Sequence, residues 1–371
     1  MKLDLVISQL GPGGSERVLT TMANYWARQS KSIDLISFSD ETQVPFYSLD
    51  VGIRHIPLGL SEDSRNGIMG AVNNLRRIRR VRRAIRKTSP NLVISFGDST
   101  NAVVLLATMG LKLPVIVSER ADPRLLASGR LWRAMCRIVY PFAARLVVQT
   151  PEAAQYYRVW QFRPPVVIPN PVPRAPNGPK AHTTLRRPTV VGIGRLTREK
   201  GFDLLLEAFG RVSGRHQNWT LVIFGDGPMR PFLEARVKSL GLNDRVWMPG
   251  FVKDIYTVLG QTDLFVLPSR SEGFPNALCE AMACGVASIA MDCPSGPRHI
   301  VRSGLDGLLV PEGDISSLAK AMDWLMSDEE ARRLIGGRAS TVSERFSVSK
   351  VMGMWEDLLK EVMKRKGNSK Q

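Results

Sequence analysis

The stretch PPVVIPNPVPRAPNGP, residues 164–179, divides the chain of 371 residues into two halves. Seven of these sixteen residues are proline, a density that is incompatible with regular secondary structure and typical of a linker. On both sides of it, short β-rich apolar runs alternate with longer segments of helical period. Because this alternation is typical of a parallel sheet wound with helices, the sequence predicts two doubly wound α/β domains of similar size.

The strand predictions come from eleven apolar runs. They are 3–8, 33–38, 92–96, 115–118 and 146–149 in the first half, and 189–193, 219–224, 246–248, 264–267, 287–290 and 307–310 in the second. After Phe346, apolar residues at three- and four-residue intervals predict an amphipathic terminal helix. Ligands of such sheets bind at the loops that follow the carboxyl ends of the strands, so we expect the functional site between the two domains.

The overall composition excludes several classes of protein. Hydrophobic residues make up 44% of the chain and charged residues 23%, which is typical of a soluble globular protein rather than a disordered one. No apolar run approaches the roughly 18 residues of a membrane-spanning helix, and the N-terminus lacks the features of a secretory signal. For these reasons we expect a cytoplasmic protein. The four cysteines have no CxxC spacing and the four histidines are scattered, so we expect no structural metal.

The net charge of +17 is unevenly distributed. Residues 1–180 hold 25 lysines or arginines against 12 acids, whereas residues 181–371 hold 26 against 22. The run RRIRRVRRAIRK, residues 76–87, carries eight cations and predicts a basic amphipathic helix. These cations are candidates for binding an anionic membrane surface: Arg76, Arg77, Arg79, Arg80, Arg82, Arg83, Arg86 and Lys87. A solvated helix face and a partner protein are the alternatives, whereas the lack of aromatic residues in the run disfavours nucleic acid.

Two segments follow predicted strands and suit phosphate. The loop GPGG, residues 11–14, comes directly before a predicted helix, whose first N–H groups suit an anion. It matches neither the dinucleotide fingerprint nor the P-loop motif, and a tight strand-to-helix turn is the alternative. In the second domain Arg195 and Lys200 lie five residues apart after GIG, residues 192–194, so both cations can reach one pyrophosphate unless the loop is merely solvated.

The segment SRSEGFPNALCEAMAC, residues 269–284, is the most informative one. Glu272 is predicted to end a buried strand, Gly273 and Pro275 to form a turn, and Glu280 to lie two turns into the helix that begins near Pro275. Two carboxylates that flank a helix start suit hydrogen bonds to vicinal hydroxyls, one set on a ribose and the other on a sugar. A purely structural pair of glutamates is the alternative.

On these motifs the chain resembles a retaining glycosyltransferase of the GT-B fold, in the large family four. That family is characterised by a glycine-rich loop after the first strand, a GR-x4-KG segment that opens the second domain and a Glu-x7-Glu motif. The resemblance covers nearly the whole chain and implies two Rossmann-like α/β domains that face each other across a cleft. It implies an acceptor-binding, membrane-facing domain at 1–172, a linker at 173–187, a nucleotide-sugar-binding domain at 188–345 and a terminal helix at 346–371 that packs back on the first domain.

The resemblance also implies roles for particular residues. Arg195 and Lys200 would hold the donor diphosphate and stabilise the charge on the leaving group, which makes them catalytic together with Glu272. Glu272 would bind hydroxyls of the transferred sugar, and Glu280 would bind the ribose. The other donor contacts would be Gly13, Gly14, Phe274, Pro275, Asn276, Ala277 and Leu278. The chain has no Asp-x-Asp motif, so neither a metal nor another cofactor is expected, and the family implies retention at the anomeric carbon.

The chain departs from the family after the predicted strand 115–118. Many relatives carry a histidine there, whereas this chain reads Ser118-Glu119-Arg120. Glu119 or Arg120 would then contact the acceptor or a phosphate of the donor. A structural ion pair is the alternative.

The segment DCPSGPRH, residues 292–299, is similar to that of family members that build bacterial surface polysaccharides from UDP-linked galactose, N-acetylgalactosamine or related sugars. The resemblance implies a UDP-sugar donor, a saccharide on a polyprenyl diphosphate as acceptor, and a peripheral position on the inner face of the cytoplasmic membrane. The basic first domain fits because lipid headgroups and the carrier diphosphate are anionic. The alternatives are a sugar-nucleotide epimerase of the same architecture, a soluble glucan synthase and, more remotely, a basic non-enzymatic protein that binds membranes or nucleic acid.

Overall fold

The chain divides into two compact units. Met1–Pro171 with Ser349–Gln371 form the first unit, and Val172–Val348 form the second. The computed structural model describes residues 1–40, 42–60, 67–125, 130–176, 185, 188–252 and 254–368. Most of the predicted linker, 177–184 with 186 and 187, lies outside the described residues. Val172 belongs to the second unit because its N–H donates to the carbonyl of Phe346 (2.8 Å) and its side chain is buried in that unit's core.

The first unit contains a seven-stranded parallel sheet in the order β3-β2-β1-β4-β5-β6-β7. The strands are β1 Lys2–Ile7, β2 Ser32–Ser37, β3 Ile53–Pro57, β4 Leu92–Phe96, β5 Val115–Ser118, β6 Arg145–Val148 and β7 Val166–Val167. The helices in the described residues are α1 Gly14–Arg28, α2 Gly67–Thr88, α3 Asp98–Thr108, α4 Arg130–Val139 and α5 Pro151–Tyr157. The central strands are apolar runs because helices cover both faces of the sheet.

Two strands, β3 and β7, are missing from the sequence prediction, and they form the two edges of this sheet. The strand β3 reads IRHIP and is only partly buried, so it lacks the continuous apolar run that marks a central strand. The strand β7 has two residues. The other five predicted strands of this unit are present within one residue of their predicted bounds.

The terminal helix α14, Val348–Asn368, packs on the first unit. Trp355 is fully buried; its ring meets the Trp26 ring edge-on at 6.4 Å and stacks on the Phe96 ring at 6.5 Å. Next to it, Trp26 Nε1 donates to Glu356 Oε1 (2.6 Å), which also pairs with Lys31 Nζ (2.7 Å). The predicted return of the terminal helix to the first domain is confirmed.

The second unit contains a six-stranded parallel sheet in the order β10-β9-β8-β11-β12-β13. The strands are β8 Thr189–Ile193, β9 Thr220–Phe224, β10 Val246–Gly250, β11 Leu264–Leu267, β12 Ser288–Asp292 and β13 Leu308–Pro311. The helices in its described part are α6 Phe202–Ser213, α7 Arg230–Ser239, α8 Ile255–Leu259, α9 Asn276–Ala283, α10 Pro297–Ile300, α11 Ile315–Ser327, α12 Glu329–Ala339 and α13 Val342–Arg345. All six predicted strands are present within two residues of their bounds.

Alternate residues of the β8–β13 sheet enter two separate apolar cores. Val190 and Ile223 pack in one core, to which α6 and α11 also contribute. Val191 and Phe224 pack in the other core, to which α9 contributes. Since each strand is covered on both faces, polar side chains can gather only at the strand ends. The predicted site residues Arg195, Lys200 and Glu272 lie in loops at the carboxyl ends of these strands.

Candidate functional site

The sheet of the second unit has one point at which the strand order reverses. The chain leaves β8 toward β9 on one side, and β11 lies on the other side of β8. The connections that follow β8 and β11 run to opposite sides of the sheet, and the carboxyl edge at such a reversal is the usual ligand site of this kind of fold. The loop after β8 carries Arg195 and Lys200, and the loop after β11 carries Glu272. The topology brings these predicted site segments side by side.

An ion pair joins the two loops. Lys200 Nζ lies 2.7 Å from Glu272 Oε1, and the two side chains are 22% and 7% exposed. The hydroxyl of Ser269 donates to the same oxygen (2.7 Å). Within the described residues, Glu272 Oε2 receives no hydrogen bond. This carboxylate is therefore held through one of its two oxygens, and ligand binding by the other remains a prediction.

The backbones of the two loops also touch. Gly201, directly after Lys200, has φ +67°, and a Cβ there would lie 2.0 Å from the carbonyl oxygen of Pro268. Only glycine combines this conformation with so close an approach. β11 ends at Leu267, so the prediction that Glu272 ends the strand is wrong; the chain leaves the sheet at Pro268, where it contacts Gly201.

Arg195 differs from Lys200 in its surroundings. Its side chain is 72% exposed, and Glu199 Oε1 lies 3.9 Å from its Nη2. At such exposure an ion pair at this distance contributes little stability. The structure therefore brings Lys200 and Glu272 into contact and leaves Arg195 on the surface of the same loop.

The helix α9 supplies the other predicted contacts in this unit. Glu280 lies on its second turn and is 4% exposed. The backbone N–H groups of Ala277 and Leu278 belong to the first helical turn, where they have no partner within the helix and carry the positive end of its dipole. The side chains of Phe274 and Leu278 are buried in the core, so these residues can offer a ligand only their backbone.

Pro275 and Asn276, the remaining predicted donor contacts of this segment, lie at the start of α9. Pro275 has no N–H to donate and precedes α9 as its cap residue, and Asn276 is the first residue of the helix.

Within the described part of the chain, no three His, Cys, Asp or Glu side chains lie together as a metal site would require.

Two serines that sequence reasoning missed hold Glu272 in place. Ser269 bonds its carboxylate, and the Ser295 hydroxyl donates to its backbone carbonyl (2.6 Å). Both serines are almost fully buried. Ser269 could have been found from the sequence, because a serine three residues before a functional carboxylate in a loop is placed to bond it. Ser295 lies 23 residues away along the chain and gives no such signal.

In the first unit Arg120 lies at the carboxyl edge of the sheet. Its Nη2 donates to Asn170 Oδ1 (2.6 Å), its Nη1 donates to Ser118 Oγ (3.3 Å), and its guanidinium lies 4.3 Å from the centroid of the Phe96 ring. Burial lowers the pKa of Arg120 to about 9, so it remains a cation at neutral pH. Its bonded partners among the described residues, Asn170 and Ser118, are neutral.

Glu119 points into the interior instead. It is 3% exposed, its Oε1 accepts a hydrogen bond from Asn101 Nδ2 (3.0 Å), and the hydroxyl of Tyr140 donates to the same oxygen. Burial raises the pKa of Glu119 to about 7. Among the described residues, no ion pair joins Glu119 and Arg120, and a contact of either residue with an acceptor or a phosphate stays a prediction. This burial favours a structural role for Glu119 over contact with an acceptor.

Two protein families match the two units. Residues 13–172 match the family described as Glycosyl transferase 4-like domain, and residues 179–341 match the family described as Glycosyl transferases group 1. The chain belongs to the glycosyltransferases. The predicted enzyme class and the GT-B class of fold, with two Rossmann-like parallel-sheet domains, are thereby confirmed.

Several bacterial proteins are similar to this glycosyltransferase over nearly its full length. One is the "GalNAc-alpha-(1->4)-GalNAc-alpha-(1->3)-diNAcBac-PP-undecaprenol alpha-1,4-N-acetyl-D-galactosaminyltransferase" of Campylobacter jejuni, 29% identical over 98% of this chain and 99% of the relative. Among solved structures, the sucrose-phosphate synthase of Thermosynechococcus elongatus superimposes with a TM-score of 0.83 at 18% identity, covering 98% of this chain and 100% of that one. Anabaena HepE in complex with UDP-glucose gives 0.80 at 19% identity, covering 97% and 100%. These structural likenesses establish the fold.

The glycine loop of this glycosyltransferase lies at the strand reversal of the first sheet, after β1. Gly13 is the cap residue of α1, and Gly14 begins the helix. The carboxylate of Glu16 lies against this turn, since a Cβ on Gly13 would be 2.2 Å from Glu16 Oε2. A carboxylate of the chain itself thus already faces the helix start. Phosphate binding by Gly13 and Gly14 remains a prediction.

The basic helix is α2, and its eight cations are not equivalent. Arg77 donates to the carbonyl of Leu60, Arg80 to that of Leu58, and Arg82 to that of Met109, at 2.7–3.3 Å. The other five cations share one exposed face of the helix: Arg76, Arg79, Arg83, Arg86 and Lys87. None of the described helices is long and apolar enough to span a membrane.

Proposed function

We propose that this glycosyltransferase moves a hexose or N-acetylhexosamine, of the galactose type, from a UDP-sugar to a saccharide carried on a polyprenyl diphosphate in bacterial surface glycan synthesis. The contact between Lys200 and Glu272 at the strand reversal of the second unit is the observation that carries the proposal. It sets a cation suited to a diphosphate beside a carboxylate suited to sugar hydroxyls. The names of two relatives from Campylobacter jejuni support the acceptor class, because both include diphosphate-linked undecaprenol.

The proposed chemistry follows from where charge develops. As the sugar leaves UDP, negative charge builds on the departing phosphate and positive charge on the anomeric carbon. Lys200, Arg195 and the first amides of α9 would stabilise the phosphate, while Glu272 Oε2 would bind a hydroxyl of the sugar. Glu280 would bind the ribose. These groups would supply the charge stabilisation that a metal ion provides elsewhere, so the proposed reaction is independent of metal. Retention of the anomeric configuration is proposed from the family resemblance.

The proposal assigns the first unit to the acceptor. Arg120 presents a guanidinium with neutral partners at the carboxyl edge of the sheet, where it would bind a phosphate of the acceptor or donor. The exposed cations of α2 would hold the enzyme on the anionic inner face of the cytoplasmic membrane, at about 1 kcal/mol for each well-placed cation. Arg77, Arg80 and Arg82 would contribute less to this role, because they are only partly exposed and already donate to carbonyl groups of the unit.

The test of the reaction uses purified enzyme, a polyprenyl-diphosphate-linked saccharide in vesicles, and UDP-N-acetylgalactosamine, UDP-galactose or UDP-N-acetylglucosamine. We expect a lipid-linked product extended by one α-linked sugar, at the same rate with and without EDTA, and a much lower but measurable rate from Lys200→Ala. Release of an epimerised UDP-sugar, or extension of a soluble glucan without lipid, would instead support the epimerase or the glucan synthase.

Membrane binding is tested by sedimentation with anionic vesicles. Replacing four exposed arginines of α2 by glutamine should abolish binding at low salt, and added salt should weaken the binding of the wild type. The matched control removes four exposed arginines of the second unit: Arg211, Arg215, Arg333 and Arg338. Equal loss of binding in both variants would show an effect of net charge alone and contradict the assignment to α2.

A further inference from the structure

The loop that carries Lys200 is fastened to the loop that carries Glu272 by Arg270, a residue without a predicted role. Its guanidinium forms a two-pronged ion pair with Asp203, Nη1 to Oδ1 at 2.8 Å and Nη2 to Oδ2 at 2.6 Å. Asp203 lies in the first turn of α6, three residues after Lys200. Arg270 thus joins the loop after β11 to the helix that follows the Lys200 loop.

Two more bonds of Arg270 reach the turn before Lys200. Its Nη1 also donates to the carbonyl of Arg198 (2.8 Å), and its backbone N–H donates to the carbonyl of Glu199 (2.8 Å). Residues Arg198–Lys200 form a single 3-10 turn, so these carbonyl groups fix the backbone just before Lys200. On the other side of Lys200, Gly201 lies against the Pro268 carbonyl. The backbone of Lys200 is therefore held on both sides by the loop after β11.

The electrostatics agree with a rigid contact. The pKa of Asp203 is raised by burial, but the hydrogen bonds and charge of Arg270 outweigh burial and leave that pKa below its usual value. The hydrogen bonds that Arg270 donates to Asp203 likewise raise the pKa of Arg270. Both side chains are less than one-third exposed, and the planar fork of arginine fits a carboxylate better than lysine can.

We infer that Arg270 is a positioning residue for the donor reaction: with Asp203 it fixes the backbone of Lys200 so that the ammonium group reaches the diphosphate beside Glu272. The inference rests on the proposed function, because it assumes that Lys200 binds the donor. Arg270 itself need not touch the substrate. Misplacing a catalytic cation by about 1 Å is enough to cost about a hundredfold in rate.

The test is a double-mutant cycle between Arg270→Gln and Lys200→Ala, read as kcat/KM for the UDP-sugar. We expect Arg270→Gln to lower kcat/KM at least tenfold in the wild-type background and less than twofold in the Lys200→Ala background, because it acts through Lys200. Arg270→Lys, which keeps the charge but not the fork, should recover only part of the loss. Arg236→Gln is the control, since Arg236 also anchors α6 by pairing with Glu207.

The outcomes separate the inference from the proposed function. If the losses from Arg270→Gln and Lys200→Ala multiply, Arg270 does not act through Lys200 and the inference is overturned while the proposed function stands. If Arg236→Gln loses as much kcat/KM as Arg270→Gln, the effect is general destabilisation of α6 and the inference is again overturned. If Lys200→Ala alone leaves kcat/KM unchanged, the assigned role of Lys200 fails and the proposed function with it.

Discussion

The substitution Glu272→Gln tests the division of labour within the proposed donor site. It keeps the size of a side chain that is 7% exposed and removes its charge. In the structure Oε1 is bonded by Lys200 and Ser269, so Oε2 is the oxygen that can accept from a sugar hydroxyl. A hydrogen bond to a charged group contributes about 1.5–3 kcal/mol. We therefore expect kcat/KM for the UDP-sugar to fall about 10- to 150-fold.

Binding of UDP without the sugar should respond differently to Glu272→Gln. The substitution removes the carboxylate that competes with a diphosphate for Lys200, so the dissociation constant of UDP should stay within about threefold of wild type or become smaller. Titration calorimetry with UDP and initial rates over a range of UDP-sugar concentrations give the two quantities. Glu330→Gln, on an exposed part of α12, is the control.

Two results would refute this reasoning. Turnover within threefold of wild type would show that Glu272 does not bind the transferred sugar. Loss of UDP binding by the same factor as turnover would show that Glu272 supports the nucleotide site as a whole.

Three further predictions concern the fold and its pH dependence. Trp355→Ala removes a fully buried ring and should lower the free energy of unfolding of the first unit by about 3–5 kcal/mol, whereas Trp355→Phe should lower it less. Calorimetry measures both variants, and an unchanged unfolding transition would contradict the docking of α14. Burial raises the pKa of the Asp4 carboxyl to about 7 in the folded chain. The fold is therefore favoured at pH 4, where this carboxyl is protonated, and loses stability as the pH rises through 7, where the buried carboxyl ionises. Asp4→Asn should raise the free energy of unfolding by up to about 4 kcal/mol at pH 8 and change it little at pH 4, and an equal effect at both pH values would contradict this pH dependence. Gly201→Ala places a Cβ against the Pro268 carbonyl and should displace Lys200, so UDP should no longer raise the unfolding midpoint; a wild-type response would contradict the close loop contact.

Much of the fold could be predicted from the sequence because the buried strands have a strong pattern. The run LVISF at 92–96 is buried throughout and apolar at four of its five positions, since both of its faces are covered, and the seven prolines at 164–179 mark the end of the first half. The edge strand at 53–57 could not be predicted in this way, because a partly exposed edge tolerates Arg54 and His55.

A residue of the candidate site could be predicted from the sequence only where a structural role does not account for it. The sequence indicates Glu272 because a carboxylate in a Gly/Pro turn has little packing rationale, and it indicates Lys200 because its spacing from Arg195 lets both cations reach one pyrophosphate. Arg270 was not identified, because an arginine in a polar loop is normally a solvated side chain, and its partner Asp203 is 67 residues away along the chain. The cations of α2 show where a sequence prediction includes too many residues. From the sequence all eight cations are equal candidates, and only the structure shows that Arg77 donates to a carbonyl group of the unit while others lie exposed.

The central claim is that the second unit binds a UDP-linked donor at the Lys200, Glu272 and Glu280 segments. The most direct measurement is the thermal unfolding of wild type, Glu280→Gln and the exposed-site control Glu330→Gln with saturating UDP, with GDP and without nucleotide. A ligand at a hundred times its dissociation constant stabilises by about 2.7 kcal/mol. The account predicts a UDP-selective rise in the unfolding midpoint of wild type and control that Glu280→Gln lacks. An equal rise in all three proteins, or no rise with UDP, would contradict it.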